Sequence, residues 1–463
     1  MKRFFSYLLL LLVLAAAGAW IVAGRMAAPA IGIDRPEQFV GTATPFEIAV
    51  SSPGNDLSSL EIVFEQDGNQ VPLYSITEPR EVRTKQDGER ILLTGEIGRD
   101  TVDGLESGPA RIVVTAAREV LYGMRTREST AVRDVSVRLE RPRVSVLSTH
   151  HYVNHGGSEL VVYRVTPDDV ESGVVVGEVE YPGYPASGAT VDGLRISDPA
   201  IRVAFFSLLY DQDLNTRIRL YARDPAGNTG GADFDHRTFP KPFKRSRISL
   251  EDRFLDRVVP AILEGTDDIA PEGGTLEKFL AINGELRRKN AERIASFAGE
   301  TAPEMLWRGE VFHPFTSSSV ESAFADQRTY FYGGKEVDRQ VHLGFDLASL
   351  AGAPILAANH GKVLFADELG IYGNCVIVDH GMGLQSLYAH LSSLEVQAGQ
   401  NVAKEQPLGR SGMTGLAGGD HLHFTMLVHG RMVNPVEWWD AHWIEDRILR
   451  KLRAVSSVAD TDQ

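Results

Sequence analysis

Four stretches in the last third of the 463-residue sequence carry the side chains best suited to hold a metal and move protons: "VHLGFDLAS" with His342 and Asp346, "QSLYAHLSS" with His390, the glycine-rich "GRSGMTGLAGGD", and directly after it "HLHFTML" with His421 and His423. Taken alone, His342 and Asp346 are as readily a polar pair at a strand end as two ligands. The His-x-His pair says more. In a strand, residues two apart share a face and are separated by about 6.5 to 7 Å. His421 and His423 would then look together into a groove while Leu422, Phe424 and Met426 face a buried side. Four extended residues span about 13 Å, too far for one ion with bonds of about 2.0 to 2.2 Å, so His342 and Asp346 can share a metal only if the chain bends between them. Gly344 stands there, and glycine tolerates backbone angles closed to other residues. Two nitrogens and one carboxylate oxygen, from His342, His423 and Asp346, would leave the fourth tetrahedral position for water, as in catalytic rather than structural zinc sites.

The elements that must position these groups read as short strands and glycine turns over residues 305–440. Upstream, residues 31–141 alternate with period two: Phe46, Ile48 and Val50; Leu60, Ile62 and Phe64; Ile112 and Val114; Val135, Val137 and Leu139. "SSPGND", "QDGN" and "QDGE" are the turns between runs, and the pattern predicts a β-sandwich. A second sandwich is expected over 142–238, where "VSVLS", "ELVVYRV" and "TRIRLYARDPAGNTG" resume the strands after Pro142; the last of these resembles the closing strand and turn of bacterial immunoglobulin-like domains. Over 239–304 the period changes. After "FPKPFKRSR", Ser249 and Asp252 stand at capping-box spacing and Leu276, Phe279 and Leu280 fall on one helical face, so a linker and a helical connector are expected, with Pro260 and Gly284 preventing a long helix. A short helix and a polar tail, 441–463, close the chain. The predicted fold class is mainly β: an N-terminal transmembrane helix, two immunoglobulin-like β-sandwich modules, a helical connector and a β-rich C-terminal domain.

A net charge of -15 and a pI near 5.4 argue against a nucleic-acid binder, whose phosphate contacts need a basic face that this composition does not advertise. The single cysteine, Cys375, excludes an internal disulfide and a zinc site built on several thiolates; in "NCVIV" it reads as a buried small hydrophobe. Lys2 and Arg3 precede a run without charge from residue 4 to 24, long enough to span a bilayer, which predicts an anchor within residues 1–30, the N-terminus in the cytoplasm and the bulk of the chain in the periplasm or extracytoplasmic space. A cleaved signal peptide is the rival reading. Among the other histidines, His360 and His380 are expected in hairpin turns, His313, His429 and His442 match no ligand position, and "THHYVNHGG" with His150, His151 and His155 is expected as a surface loop.

In order, "VHLGFDLAS", "YGNCVIVDHGMGLQSLYAHLS", "GRSGMTG" and "HLHF" resemble the lysostaphin-like zinc metallopeptidases, the LytM-type cell-wall endopeptidases, over the last third of the chain. The resemblance implies one Zn2+ held by His342, Asp346 and His423, catalytic histidines at His390 and His421, and hydrolysis of peptide cross-links or bridges of bacterial peptidoglycan by a zinc-activated water. It casts His421 as proton acceptor and His390 as hydrogen-bond donor to the oxyanion, roles that could be exchanged. The family often shows Phe-Gly-x-Arg upstream, whereas this chain reads "FADQRTY", with Ala325 and Asp326 after Phe324. The expected partners are peptidoglycan, the membrane through one helix, and proteins through the β-sandwich modules, with the helical connector as a cover for the groove. The alternatives are a non-catalytic LytM-type adaptor that activates another cell-wall hydrolase, and a structural protein whose zinc only stabilises the last domain.

Overall fold

The computed structural model describes residues 2–459 except 78–81, 190, 192, 193, 195 and 314; the end of the expected polar tail, 460–463, lies outside the described residues. The N-terminal apolar run folds as one helix, Lys2–Arg25, long and apolar enough to cross a membrane. The chain divides into two compact units, Met1–Pro142 with Arg223–Thr229, and Arg143–Ala222 with Gly230–Gln463.

In the first unit the alternating runs become two sheets. One has the order Ala30–Arg35, Ala43–Ser51, Arg90–Gly98, Arg83–Asp87; the other Phe39–Val40, Arg125–Val137, Gly108–Val120, Ser59–Gln66, Asn69–Ser75. Every second side chain points inward in a strand, and Ile48, Leu60, Ile62, Phe64, Ile112 and Val114 meet in one shared core.

The second unit is organised on an eight-stranded sheet. Its order is Ser319–Ser322, Phe345–Ala348, Leu422–Val428, Leu384–Leu391, Asn374–Gly381, Gly361–Glu368, Asn401–Val402, with Arg431–Val433 paired to Leu422–Val428. Both faces are covered. Val376, Tyr388, Phe424 and Met426 enter a core continuous with Tyr163, Phe205 and Val203 of the upstream strands, where the Phe205 ring lies 5.7 Å from that of Trp438. Their neighbours in sequence, Ile377, Leu387 and Leu427, enter a second core made with Leu255, Val259, Phe279, Ile282, Leu286 and Phe297 of the helical segment. Strands buried on both faces lose the alternating pattern, and all eight residues of Leu384–Leu391 are buried.

Several local expectations change. Ser249 caps no helix: it ends the strand Arg245–Ser249, which pairs in parallel with Asp326–Tyr332, and the helix Asp252–Glu264 starts after Glu251 without a side-chain cap. The pairing takes Ser249 into a ladder before a helix can begin. Pro260 sits inside that helix without ending it. Gly284 lies in a π-helical turn, Ile282–Leu286, between the helices Thr275–Ala281 and Arg287–Ser296. "THHYVNHGG" is no surface loop, because His151–Asn154 is a strand paired with His236–Phe239 and His151 is buried. His380 likewise lies within the strand Asn374–Gly381 and is buried rather than in a turn.

Candidate active site

Three neighbouring strands bring the chemistry together. The register sets Asp346 opposite His423 and His423 opposite Ala389, beside His390. His421 precedes its strand and is held by its backbone N–H donating to the Gly412 carbonyl at 3.0 Å. His342 ends the strand Lys335–His342, and the chain bends before Phe345–Ala348. Gly344 is required there for a reason other than the one its sequence position suggests: its φ is not in the left-handed region, but a Cβ would lie 2.5 Å from Cε1 of His423. Space for the histidine ring, not backbone freedom, demands the glycine.

His342 Nε2 lies 2.9 Å from Asp346 Oδ1 and 3.0 Å from His423 Nδ1, and the last two atoms are 3.0 Å apart. A tetrahedral ion with bonds of about 2.0 to 2.2 Å separates its ligand atoms by about 3.3 to 3.6 Å. A few tenths of an ångström of widening fits these three atoms to one cation. The donor chemistry agrees, since His342 Nδ1–H donates to the Ala323 carbonyl at 3.2 Å and so turns the Nε2 lone pair toward the cluster. Among the described residues, His342, Asp346 and His423 are the group that could hold a metal ion.

Electrostatics favour the ligand forms of Asp346 and His423. Burial alone would raise the Asp346 carboxyl, but the charge of His342 and hydrogen bonds from His342, His421 and His423 outweigh it and hold Asp346 well below the usual carboxylate value. Burial lowers His423 to about 4. A metal requires an ionised carboxylate and an unprotonated ring nitrogen, the forms favoured for Asp346 and His423.

His390 and His421 stand beside this cluster, with ring centroids 4.9 Å apart. Each is oriented by a carbonyl: His390 Nδ1–H donates to Thr414 and His421 Nδ1–H to Gly419, both at 2.8 Å, which presents both Nε2 atoms to the cluster side. His390 has φ of 65°, a conformation that costs a non-glycine residue about 1 to 3 kcal/mol and is found where surrounding structure enforces it. Burial, with the neighbouring His421 and His423, holds His390 well below the ordinary imidazole value. For His421, burial is outweighed by the hydrogen bond to Asp346 and its charge, and the pKa rises; its Nε2 lies 3.5 Å from Asp346 Oδ1.

All five residues line one cleft of about 300 Å³, together with Gly284, Arg287, Arg288 and Ala291 of the helical segment and Tyr210 of the turn that follows the strand Ile201–Ser207. The five expected positions thus converge, whereas His150, His151 and His155 form no such group among the described residues. The sequence reading missed Arg328, whose Nη2 donates to Asp346 Oδ2 at 3.0 Å and to Ser322 Oγ at 2.8 Å. It also missed Tyr372, its ring 5.7 Å from that of His423. The basic residue in "FADQRTY" was the available signal for Arg328. In the same stretch Ala325 adopts φ of 60° and donates its N–H to the His342 carbonyl at 2.7 Å. Alanine here holds the backbone conformation that glycine takes freely, so the departure from Phe-Gly-x-Arg leaves the turn intact.

Fold and site together define the class. Residues 340–435 match the profile of peptidase family M23, and the C-terminal part of the chain is a domain of that family, which bears out the lysostaphin-like resemblance. Among particular relatives, the chain is 40% identical over 97 residues to the DD-carboxypeptidase/endopeptidase Mpg of Neisseria meningitidis, covering 21% of this chain and 22% of that protein. It is 38% identical over 167 residues to the peptidoglycan DD-endopeptidase ShyA of Vibrio cholerae, covering 36% and 35%. It is also 36% identical over 95 residues to the murein hydrolase activator EnvC of Escherichia coli, covering 20% and 23%. The chain therefore matches about a fifth to a third of the length of these curated relatives.

Proposed function

We propose that the chain is a zinc-dependent endopeptidase that hydrolyses peptide cross-links or bridges of bacterial peptidoglycan. The convergence of His342, Asp346 and His423 beside His390 and His421 in one cleft carries this reading. The first three would hold the ion through Nε2, Oδ1 and Nδ1. Zinc supplies Lewis acidity, polarising the scissile carbonyl and making water a nucleophile near neutral pH. Arg328 holds Asp346 in place from the side away from the cluster's Oδ1, through Oδ2. Hydrogen bonding favours the exchanged assignment of the two remaining histidines. With Nδ1–H committed to Thr414, neutral His390 offers an Nε2 lone pair that accepts the proton of the attacking water. His421 lies beside the Asp346 carboxylate, which favours its protonated form; in that form Nε2–H donates toward the oxyanion and delivers the proton to the leaving amine.

The N-terminal helix anchors the chain in the cytoplasmic membrane with its N-terminus in the cytoplasm and the remainder in the periplasm or extracytoplasmic space. The β-rich module of residues 31–141 acts as a stalk or partner-binding arm between membrane and wall. The similarity to a murein hydrolase activator supports a second reading, an adaptor that stimulates another hydrolase. His421→Ala separates the two. In the enzyme it abolishes hydrolysis of cross-linked peptidoglycan while the bound zinc, measured by mass spectrometry, stays near one per chain; in an adaptor, stimulation of the partner hydrolase is unaffected.

A further inference from the structure

We propose that Arg287 is a specificity residue that binds a substrate carboxylate close to the scissile amide, so that the favoured substrates are peptides carrying a free acid beside the bond cut. This rests on the peptidase reading and names its substrate class. Arg287 opens the helix Arg287–Ser296, directly after the π-helical turn Ile282–Leu286. Ile282, Leu286 and Ile294 are buried in the core beneath, so the backbone carrying Arg287 is fixed against the sheet. The side chain is fixed as well. Its Nη2 donates to Asn283 Oδ1 at 2.7 Å and its Nε to the Asn283 carbonyl at 3.1 Å, while Asn283, fully buried, donates Nδ2–H to Asp338 Oδ2 at 2.7 Å. A guanidinium oriented by two of its five N–H groups keeps Nη1 for a ligand and loses little entropy on binding one.

Charge points the same way. The chain carries a net charge of -15, yet the cleft is lined by Arg287, Arg288 and Arg328 against the single carboxylate of Asp346. Arg328 is paired with Asp346 at 3.0 Å and Arg288 with Glu292 at 2.5 Å. Arg287 pairs with no carboxylate among the described residues, and a half-buried cation left without a counter-charge beside a catalytic cluster favours an anionic group of the substrate. Arg287 and Arg328, with Leu416 and Gly418, also line a second cleft of about 310 Å³ walled by Leu250, Phe254, Phe279 and Tyr330, with Glu251 as its one carboxylate. A peptide extending from the His342, Asp346 and His423 cluster into that second cleft passes Arg287.

The test uses the full chain loaded with zinc and two substrates, a cross-linked peptidoglycan dimer with free carboxylates and the same dimer with them amidated. The wild type is expected to favour the acid form by about tenfold or more in kcat/KM, and Arg287→Gln to bring that ratio near one, with Arg287→Lys in between. Calorimetric binding of the cleaved product peptide, as acid and as amide, gives a readout independent of turnover, and the same preference should appear and vanish with Arg287. Equal binding of acid and amide by the wild type, or a preference that survives Arg287→Gln, overturns the proposal. Arg287-dependent preference in binding without cleavage of either dimer overturns the peptidase reading and leaves the carboxylate site standing.

Discussion

Two sets of histidines are hidden in the same unit, and burial does not distinguish them. His342, His390, His421 and His423 are 5 to 7% exposed, and His151 and His380 are 2% and 0% exposed. Their partners do. His380 has both ring nitrogens satisfied, Nδ1 by the His360 carbonyl and Nε2 by Ser386 Oγ, each at 2.7 Å. His151 is closed in the same way by the Asp235 carbonyl at 2.9 Å and Ser148 Oγ at 2.8 Å. In the cleft His342, His390 and His421 each spend Nδ1 on a carbonyl; His342 and His421 turn Nε2 toward Asp346, and His423 turns Nδ1 there while its buried Nε2 meets no partner among the described residues. A structural histidine ends in oxygen acceptors and hydroxyls; a candidate ligand ends in other candidate ligands, an arrangement that only a proton or a cation resolves.

The sharpest way to break this comparison is to remove one member from each set. Asp346→Ala should take the zinc content from about one ion per chain to near zero and hydrolysis below detection, because Asp346 Oδ1 touches both His342 and His423. Retained zinc would place the ion elsewhere. His380→Ala should do the opposite: zinc per folded molecule unchanged, with stability to urea lowered by about 1 to 3 kcal/mol as Ser386 and the His360 carbonyl lose their partner. Zinc loss in that variant would remove the distinction.

A pH titration sharpens it further. Burial lowers both His151 and His380 from 6.5 to about 4. Groups depressed on folding contribute stability above their unfolded value that is lost as protons bind the unfolded chain, so the melting temperature should fall between pH 6.5 and 4. The fall should be shallower in His380→Asn, read by calorimetry; an identical slope would mean that His380 is already charged in the fold. The smallest effect is expected at the turn beside the cluster. Ala325→Gly relieves φ of 60° and should raise stability by roughly 1 kcal/mol or less, offset in part by the freer unfolded chain.

The cluster was legible because its ligand types sit in short motifs, His-x-x-x-Asp and His-x-His, whose order survives in the fold. What stood around it was not. The need for Gly344 comes from a ring 79 positions later in sequence, His423, and no local pattern carries that. Arg287, Tyr210 and Arg328 reach the cleft from separate elements, so their position depends on packing rather than spacing. In the 31–141 segment one face of the strands is buried, and the alternating residues Phe46, Ile48, Leu60, Ile62, Phe64, Ile112 and Val114 fall in one core, whereas Leu139 is only partly buried. In the strands Asn374–Gly381, Leu384–Leu391 and Leu422–Val428 both faces are buried, and the pattern cannot say by what. The helical connector turns out to supply Phe279, Ile282 and Leu286 to the core beneath Ile377, Leu387 and Leu427. Deleting it to test for a cover over the groove would expose that sheet face, so activity has to be measured on the whole chain.

The most direct test of the central claim incubates the detergent-solubilised full chain with cross-linked peptidoglycan, with and without a zinc chelator, and follows released fragments by mass spectrometry. The account expects loss of cross-links that the chelator stops and added zinc restores, with fragments cut at a peptide bond and the glycan intact. Folded, zinc-loaded protein that leaves every cross-link in place would contradict it.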